Sequence, residues 1–392
     1  MQVLHISADF PDPLRPAKTR AVANLLELAP EHNHFVYSLN RTGWRAGVAA
    51  LPFDDAHRAV AYGAPPFAVA LRRFLLPVAH WIIRDAEQRN LKPAVVHAHK
   101  LVVEGLIGEI VADALGARLV VSSQGNTDLK FISARRSLRP AWQKVWRAAE
   151  VVLPFAPWTG DALASMLGPR DGPVLALPCP TAADRQMPPR RCSPVVRSIF
   201  CLDEAENKNA AHLIAAVEAA AALVPEIRLE IIGTGSPSSF ARMTKMISAN
   251  RRVRLLGPVP NGQIQQLLNR SACMALPSRR ESYGMAFAEA LLAGCPVVHG
   301  AGSGIDGYFP ERSFAASADP DSVESLAAVL TQMVKEQFSI KQDLLQAQRR
   351  GEIEVLQRPS IARTYRQALM AAAGLVPELP GLPPRPGLPL PA

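Results

Sequence analysis

Two glutamates eight positions apart, Glu281 and Glu289, are the residues with the clearest chemistry in this chain. Glu281 lies in a loop after a short apolar run, whereas Glu289 lies in a helix predicted over 285–293 whose other side chains are all apolar or small. A buried carboxylate without a partner costs free energy or gives up its charge, so hydrogen-bond donors must reach Glu289. Those donors are a neighbouring arginine or a backbone N–H, or else the two hydroxyls of a ligand diol, which match the two oxygens of one carboxylate.

A glycine-rich loop and a lysine in the same half of the chain point to an anionic ligand. Gly233 and Gly235 belong to a GTGS loop between an apolar strand and a helix, where small residues let backbone amides approach a phosphate. Ser238 stands where a dinucleotide-binding motif would have its third glycine, which counts against a nicotinamide-dependent oxidoreductase. Lys208 opens a predicted helix, a poor place for a cation unless an anion such as a diphosphate binds there as well.

These residues require a scaffold of alternating strands and helices. Such segments alternate through both halves of the chain, which predicts βαβ units and parallel sheets with helices on both faces. The expected fold is therefore α/β, with two doubly wound Rossmann-like domains facing a central cleft and ligands at the carboxyl ends of the strands. The predicted divisions are a first domain over 1–188, a proline-rich hinge over 189–194, a second domain over 195–358, a terminal helix over 359–373 and a proline-rich disordered tail over 374–392.

Composition narrows the functional classes. The formal charge of +9 indicates an anionic partner, but most of the 43 basic residues are arginines spread along the chain, so nucleic acid is not the expected partner. Five cysteines without CxxC spacing predict reduced thiols in a cytoplasmic protein, with neither a zinc site nor a disulfide framework. Neither a signal peptide nor an apolar span long enough to cross a membrane is evident.

The chain resembles the retaining glycosyltransferases of family 4, which have the two-domain GT-B fold. The sequence ESYGMAFAE, from Glu281 to Glu289, matches the E-x7-E motif of that family, and GCPVV follows it as it does there. Looser matches run from LHISADFP and VVHAHK in the first half to VRLLGPV and CMALPS in the second. The terminal SIARTYRQAL is similar to the family's helix that crosses back to the first domain.

The resemblance implies a role for each candidate residue of the second domain. Glu289 would hold the nucleotide ribose, Glu281 the hydroxyls of the donor sugar, and Lys208 would neutralise the leaving diphosphate. Backbone amides would face the sugar and diphosphate at Ser282, Tyr283, Gly284 and Met285. The resemblance implies a hexosyltransferase that retains anomeric configuration, uses a UDP- or GDP-sugar, needs no cofactor or metal, and builds a bacterial cell-surface or exported glycan on a glycan or polyprenyl-linked acceptor.

The sequence departs from the family pattern at three places. Asp203 stands five residues before Lys208, where the family has an arginine, and Arg279 is a candidate to replace that arginine at the diphosphate. Gln124 stands where the family offers a histidine to the donor sugar, and Lys18 lies in a loop that replaces a glycine-rich one. Because of Asp203 and Gln124, a catalytically decayed glycosyltransferase-like binding or scaffold protein is the alternative function.

The first domain holds three more candidates and a basic segment. His97 and His99 lie on one predicted strand, and we expect one to face away from the other, with His99 lining the cleft. Asp128 is a further candidate for the cleft. The segment 130–147 combines six basic residues with Phe131, Trp142 and Trp146, a composition typical of an anchor on anionic lipid or of a solvated face. A lipid-linked acceptor would place the protein at the inner face of the plasma membrane.

Overall fold

The computed structural model describes residues 1–43, 47–65 and 69–375, and the chain divides into two compact units. The first unit comprises Met1–Phe155, Thr159–Leu177 and the chain from Ile361; the second comprises Ala156–Trp158 and Pro178–Ser360. After the short excursion at Ala156–Trp158, the chain passes into the second unit at Pro178, ahead of the hinge predicted at 189–194. Residues before that hinge belong to the second unit, where the Met187 N–H donates to the Leu292 carbonyl at 2.7 Å. The predicted tail lies outside the described residues from 376 onward.

The first unit is built on a seven-stranded sheet. Its strands are β1 Gln2–Ser7, β2 Asn33–Gly43, β3 Val48–Pro52, β4 Arg58–Gly63, β5 Val95–Ala98, β6 Arg118–Ser123 and β7 Val151–Pro154. Their order is β3-β4-β2-β1-β5-β6-β7, and every pairing is parallel except the edge pair β3 with β4. The central strands are continuous apolar runs because helices cover both of their faces.

Helices cover the two faces of this sheet unequally. They are α1 Ala21–Leu26, α2 Leu71–Gln88, α3 Glu104–Leu115, α4 Asn126–Ala134, α5 Arg139–Ala148, α6 Pro157–Leu167 and a terminal helix Arg358–Ala372. Buried residues of α2, α3 and α5 form one core with the sheet. The terminal helix packs Ile361, Tyr365 and Leu369 into a second core on the strands of this unit, together with residues of α1. The last helix of the chain therefore belongs to the first unit.

The second unit is built on a six-stranded, wholly parallel sheet in the order β10-β9-β8-β11-β12-β13. Its strands are β8 Val195–Ile199, β9 Arg228–Ile232, β10 Val253–Gly257, β11 Cys273–Leu276, β12 Val297–Gly300 and β13 Ala315–Ala318. Its helices are α7 Ala210–Ala220, α8 Pro237–Ile247, α9 Asn261–Asn269, α10 Met285–Leu292, α11 Val323–Lys335 and α12 Gln337–Arg349. Because β8 and β11 are neighbours, the loops that follow them meet at one edge of the sheet.

The two parallel-sheet units confirm the predicted α/β fold with Rossmann-like domains, but several strands differ from the prediction. The sequence signal for β3, β4 and β13 is weak, because alanine is frequent in all three and β13 has neither a branched nor an aromatic residue. The apolar residues 174–177 are not a strand of the sheet, and Val174 forms an isolated bridge with Val152. No helix among the described residues has both the length and the hydropathy needed to cross a bilayer.

Two aromatic residues of the basic segment, Trp142 and Trp146, are buried in the core and not available to lipid, and the contact of 130–147 with an anionic membrane stays a prediction. Trp142 and Trp146 are both 0% exposed, and their indole N–H groups donate to the carbonyls of Val102 and Gly168 at 3.1 and 2.9 Å. The helix α5 turns its tryptophan face into the core, which leaves only its basic face outside. Phe131 also packs against this core.

The expectation that His97 and His99 face opposite sides is wrong. Residues two apart on a strand share a face, and the two ring centroids are 4.0 Å apart. Both rings are buried within the first unit.

Candidate active site

Glu281 lies in the turn that joins β11 to α10. Gly284 makes this turn with a φ of +73°, and a Cβ at that position would lie 2.5 Å from the Phe287 ring, so only glycine fits. The backbone of Glu281 is held by the loop after β12, because its N–H donates to Ser303 Oγ at 2.9 Å and its carbonyl accepts from Gly304 N at 2.8 Å. The Glu281 carboxylate is therefore presented from a fixed position at the carboxyl edge of the sheet.

Lys208 and Glu281 form an ion pair across the loops that follow β8 and β11. Lys208 Nζ lies 2.6 Å from Glu281 Oε2, and their side chains are 15% and 16% exposed. Asn209, with a left-handed φ of 58°, starts α7 directly after the lysine and fixes where it emerges. Two residues predicted to bind adjacent groups of a donor, its diphosphate and its sugar, thus contact each other.

The Glu289 carboxylate lacks the partner that a structural role would require. Among the described residues, no side chain or backbone group forms a hydrogen bond or an ion pair with it, and burial raises its pKa. Tyr283 is 3% exposed, and its hydroxyl has no hydrogen-bond partner in the described part of the chain. Burial raises the pKa of Tyr283 well above its usual value, and Cys179 and the Glu289 carboxylate raise it further. The Glu289 carboxylate and the Tyr283 hydroxyl are therefore an acceptor and a donor without partners among the described residues, and leaving the buried hydroxyl unsatisfied is costly.

The GTGS loop binds a carboxylate of the chain itself. Ser236 donates to Asp203 from its N–H, at 3.1 Å to each oxygen, and from its hydroxyl at 2.5 Å. These bonds lower the pKa of Asp203, first through the Ser236 hydroxyl and then through its N–H. A Cβ on Gly233 would lie 1.8 Å from the Phe200 carbonyl oxygen, and one on Gly235 would lie 2.9 Å from Leu202 Cβ. The two glycines thus allow close packing on residues 200–203, and Asp203 occupies the amide expected to face a phosphate.

The remaining candidates of this unit lie on the same turn. Arg279 donates its N–H to the Asn207 carbonyl at 2.9 Å, which joins the turn to the loop that carries Lys208. Its guanidinium Nε is 3.6 Å from Asp321 in a pair whose side chains are 44% and 77% exposed, so that contact holds it weakly. Met285 is 44% exposed at the start of α10. Arg279 is therefore accessible to an anion, although Asp321 competes for it.

Four residues of the first unit that were predicted as site residues differ in how many of their polar groups have hydrogen-bond partners. Lys18 Nζ donates to Asp12 at 2.7 Å, to Ser38 Oγ at 2.9 Å and to a backbone carbonyl of β2 at 3.1 Å, so its three protons hold its own loop together and join it to β2. Asp128 is 0% exposed and accepts from the Val102 N–H at 3.1 Å. The amide nitrogen of Gln124, in contrast, is buried without a partner among the described residues.

His99 is the fourth of these candidates. It is 1% exposed, and its ring packs against the rings of His97 and His5. The side chains of Lys18, Asp128 and His99 thus contact other residues of the first unit. Among these four candidates, Gln124 has a side-chain N–H donor without a partner in the described part of the chain.

A cluster of ionisable residues at the carboxyl edge of the first sheet was missed. Lys100 Nζ lies 2.6 Å from Asp9, and Glu104 accepts from the Ala8 N–H at 3.1 Å. Burial raises the pKa of Glu104 to about 7, against the opposing effect of Lys100, so this carboxyl group titrates near neutrality. The available sequence signal was Lys100 and Glu104 one helical turn apart after an apolar strand.

Part of the second unit is similar in sequence to known proteins. Residues 199–351 match the family model of the glycosyl transferases group 1. The gpi3 subunit of phosphatidylinositol N-acetylglucosaminyltransferase from Schizosaccharomyces pombe is 28% identical over 128 residues, which span 32% of this chain and 28% of that protein. The chain thus matches less than a third of that relative.

Solved structures with a similar fold cover nearly the whole chain. Sucrose-phosphate synthase from Thermosynechococcus elongatus has a TM-score of 0.66 at 16% identity, over 95% of this chain and 100% of that one. The lipopolysaccharide outer core galactosyltransferase WaaB has a TM-score of 0.65 at 14% identity, over 95% and 99%. HepE from Anabaena, solved with UDP and glucose, has a TM-score of 0.63 at 16% identity, over 95% and 100%. The chain therefore has a fold of the GT-B type, and residues 199–351 of its second unit are similar to the glycosyl transferases group 1.

Proposed function

We propose that this chain is a retaining glycosyltransferase of family 4 that transfers a hexose from a UDP- or GDP-sugar to a glycan or polyprenyl-linked acceptor. The observation that carries the proposal is the Glu289 carboxylate, which is largely buried and has no partner among the described residues. A ribose diol supplies two donors that match its two oxygens. The UDP named in the HepE structure, at the low identity of that likeness, is consistent with such a ligand.

The Lys208–Glu281 pair gives the donor its second point of attachment. When a sugar nucleotide binds, the Lys208 ammonium turns to the diphosphate, and the Glu281 carboxylate accepts hydrogen bonds from hydroxyls of the sugar. Each of the two charged groups thus replaces its ion-pair partner by a group of the donor. The bond between the anomeric carbon and the diphosphate oxygen breaks, and the acceptor oxygen bonds to that carbon on the same face. The acceptor's proton passes to the leaving phosphate. Lys208 and backbone amides near Gly284 stabilise the developing negative charge, which is the largest part of catalysis in this scheme.

The acceptor is proposed from a groove of the first unit. Helices α2, α3 and α5 enclose about 510 Å³ between apolar residues, the cations Arg72 and Arg73, and Lys144, which is ion-paired with Glu109 on the same lining. Leu76 lines this groove and is 42% exposed. Apolar residues beside two arginines suit an anionic lipid or a polyprenyl phosphate. The proposed membrane contact is electrostatic and lies at the inner face of the plasma membrane. The proposed role is the synthesis of a bacterial surface polysaccharide.

A second function is favoured by Asp203. Its carboxylate already occupies the Ser236 amide, so the GTGS loop offers a diphosphate less positive potential than a free loop would. A donor-binding protein without turnover, used as a scaffold, is consistent with that contact.

Calorimetry with UDP- and GDP-sugars tests the proposal on wild type, Glu289→Gln and the exposed control Glu226→Gln. Hydrogen bonds to a charged group contribute about 1.5–3 kcal/mol, so Glu289→Gln should weaken donor binding about 10- to 100-fold, and Glu226→Gln should leave it unchanged. Turnover should retain the anomeric configuration by NMR and should persist in EDTA. Donor binding without turnover on any lipid or glycan acceptor would favour the scaffold, and no donor binding would refute both functions.

A further inference from the structure

Three histidines of the first unit, which the proposed transfer does not use, converge inside its core. His5 on β1 is the register partner of His97 on β5, and His99 follows two residues after His97 on the same face. All three are at most 1% exposed. One ring nitrogen of each lies within 4.8 Å of those of the other two. The ring centroids are 4.0 Å apart for His97 and His99, 5.3 Å for His5 and His99, and 5.6 Å for His5 and His97.

The hydrogen bonds around this cluster determine where one lone pair points. His34 Nε2 lies 2.8 Å from the Ala29 carbonyl, so it must carry a proton, and His34 Nδ1 must accept. His5 Nε2, 2.8 Å from His34 Nδ1, is therefore the donor, which leaves a lone pair on His5 Nδ1. That atom faces His99 Nε2 at 3.1 Å.

Burial favours the neutral form of these three imidazoles. Among the described residues, no carboxylate is hydrogen-bonded to His5, His97 or His99. Burial lowers the pKa of all three, that of His99 to about 3. Neutral imidazole is the form that binds transition-metal ions.

We propose that His5, His97 and His99 bind a Zn²⁺ ion through one nitrogen each, with a fourth position left for a non-protein ligand. Two histidines spaced i and i+2 on a strand, with a third in register on the next strand, place three imidazoles on one face. Zn–N bonds of 2.0–2.1 Å put two nitrogens of a tetrahedral site roughly 3.3 Å apart, close to the 3.1 Å between His5 Nδ1 and His99 Nε2.

Outer hydrogen bonds that orient such ligands are already formed. The Nε2–H of His5 donates a hydrogen bond to His34 Nδ1, and ligating histidines usually donate in this way to a neighbouring acceptor. His97 is held at both nitrogens, by Ser122 Oγ at 2.8 Å and by the Tyr365 hydroxyl at 3.1 Å, and one of these contacts gives way to the metal. The ion would join β1 to β5, which is a structural role and does not depend on the proposed transfer. The proposal differs from the expectation, drawn from the sequence, that the chain has no zinc site.

The test measures metal binding by the full chain, purified without a histidine tag and stripped with a chelator. Wild type should take up one equivalent of Zn²⁺ in a competition titration and gain several degrees in Tm. His99→Gln should bind on the order of 100-fold more weakly. The control His80→Gln removes an exposed histidine of α2 and should behave as wild type.

Cobalt substitution of the wild type provides a second readout that needs no variant. Co²⁺ should give the intense visible absorption of a tetrahedral nitrogen site. Weak octahedral bands, thiolate charge-transfer bands from the cysteines, or no uptake would overturn the proposal. Equal affinity of His99→Gln and His80→Gln for Zn²⁺ would overturn it as well.

Discussion

Lys208 and Glu281 lie 73 positions apart in sequence, yet their charged groups are in contact at 2.6 Å, at the edge where the loops after β8 and β11 meet. The pair is mostly shielded from solvent, so each charge depends on the other for compensation. In the proposed transfer, a diphosphate replaces Glu281 at the lysine and a sugar hydroxyl replaces Lys208 at the glutamate. The ion pair therefore links the position of the lysine to that of the turn that carries both glutamates.

Replacing Lys208 by methionine should lower kcat/KM for donor transfer by about 10²–10³, the effect of removing one group that stabilises developing negative charge. The loss should appear mainly in kcat, because the leaving diphosphate gains charge in the transition state. Lys245→Met, which removes an exposed lysine from α8, is the control and should keep wild-type kinetics. An unchanged kcat in Lys208→Met would show that this lysine only neutralises Glu281.

Asp203→Arg introduces the positive charge that family 4 glycosyltransferases have at this position. We expect this substitution to reduce donor turnover. The Asp203 carboxylate bonds both the N–H and the hydroxyl of Ser236, so an arginine would release the GTGS loop from its anchor. Glu206→Arg makes the same change of charge at an exposed position three residues on, and it should have little effect. The measurement is donor affinity by calorimetry together with turnover. A large gain of affinity in Asp203→Arg would indicate a decayed site and count against the enzymatic function.

The parts of this site that could be predicted are the local ones. The turn at Glu281, the helix that carries Glu289 and the loop before Lys208 each follow from a few neighbouring residues, and the alternation of segments was enough for the α/β fold. Contacts between distant residues could not be predicted, because patterns of hydrophobicity do not specify which polar groups meet. Asp203 with Ser236 is one such contact, and the burial of Trp142 within a basic helix is another.

Glu104→Gln should make the first unit less sensitive to pH. Burial raises the pKa of Glu104 from 4.5 to about 7, so between those values the folded state binds a proton that the unfolded state lacks. That contribution to stability is complete below pH 4.5 and is lost as pH rises through about 7. Glutamine imitates the protonated acid, so the variant should exceed wild type by on the order of 3 kcal/mol at pH 8 and by less than about 1 kcal/mol at pH 5.

Urea unfolding followed by tryptophan fluorescence measures this difference, since Trp81, Trp142 and Trp146 all lie in the first unit. Glu87→Gln, at an exposed position of α2, controls for the loss of one surface charge and should not depend on pH in this way. A Glu104→Gln gain of the same size at pH 5 and pH 8 would mean that the Glu104 carboxyl group does not titrate near neutrality in the folded chain.

Vesicle binding should depend on the exposed arginines of the basic segment and not on its tryptophans. Arg136 and Arg147 are exposed, and each basic residue near an anionic surface contributes about 1 kcal/mol, so each change to alanine should weaken binding to anionic vesicles about fivefold. Trp142→Leu should leave that binding intact but destabilise the first unit by about 3 kcal/mol, because it opens a cavity and leaves the Val102 carbonyl unpaired. Sedimentation with anionic and neutral vesicles, paired with urea unfolding, separates the two effects. Equal binding to both vesicle types would contradict an electrostatic contact. A loss of binding in a folded Trp142→Leu variant would contradict it too, since a fully buried indole reaches lipid only if α5 detaches from the core.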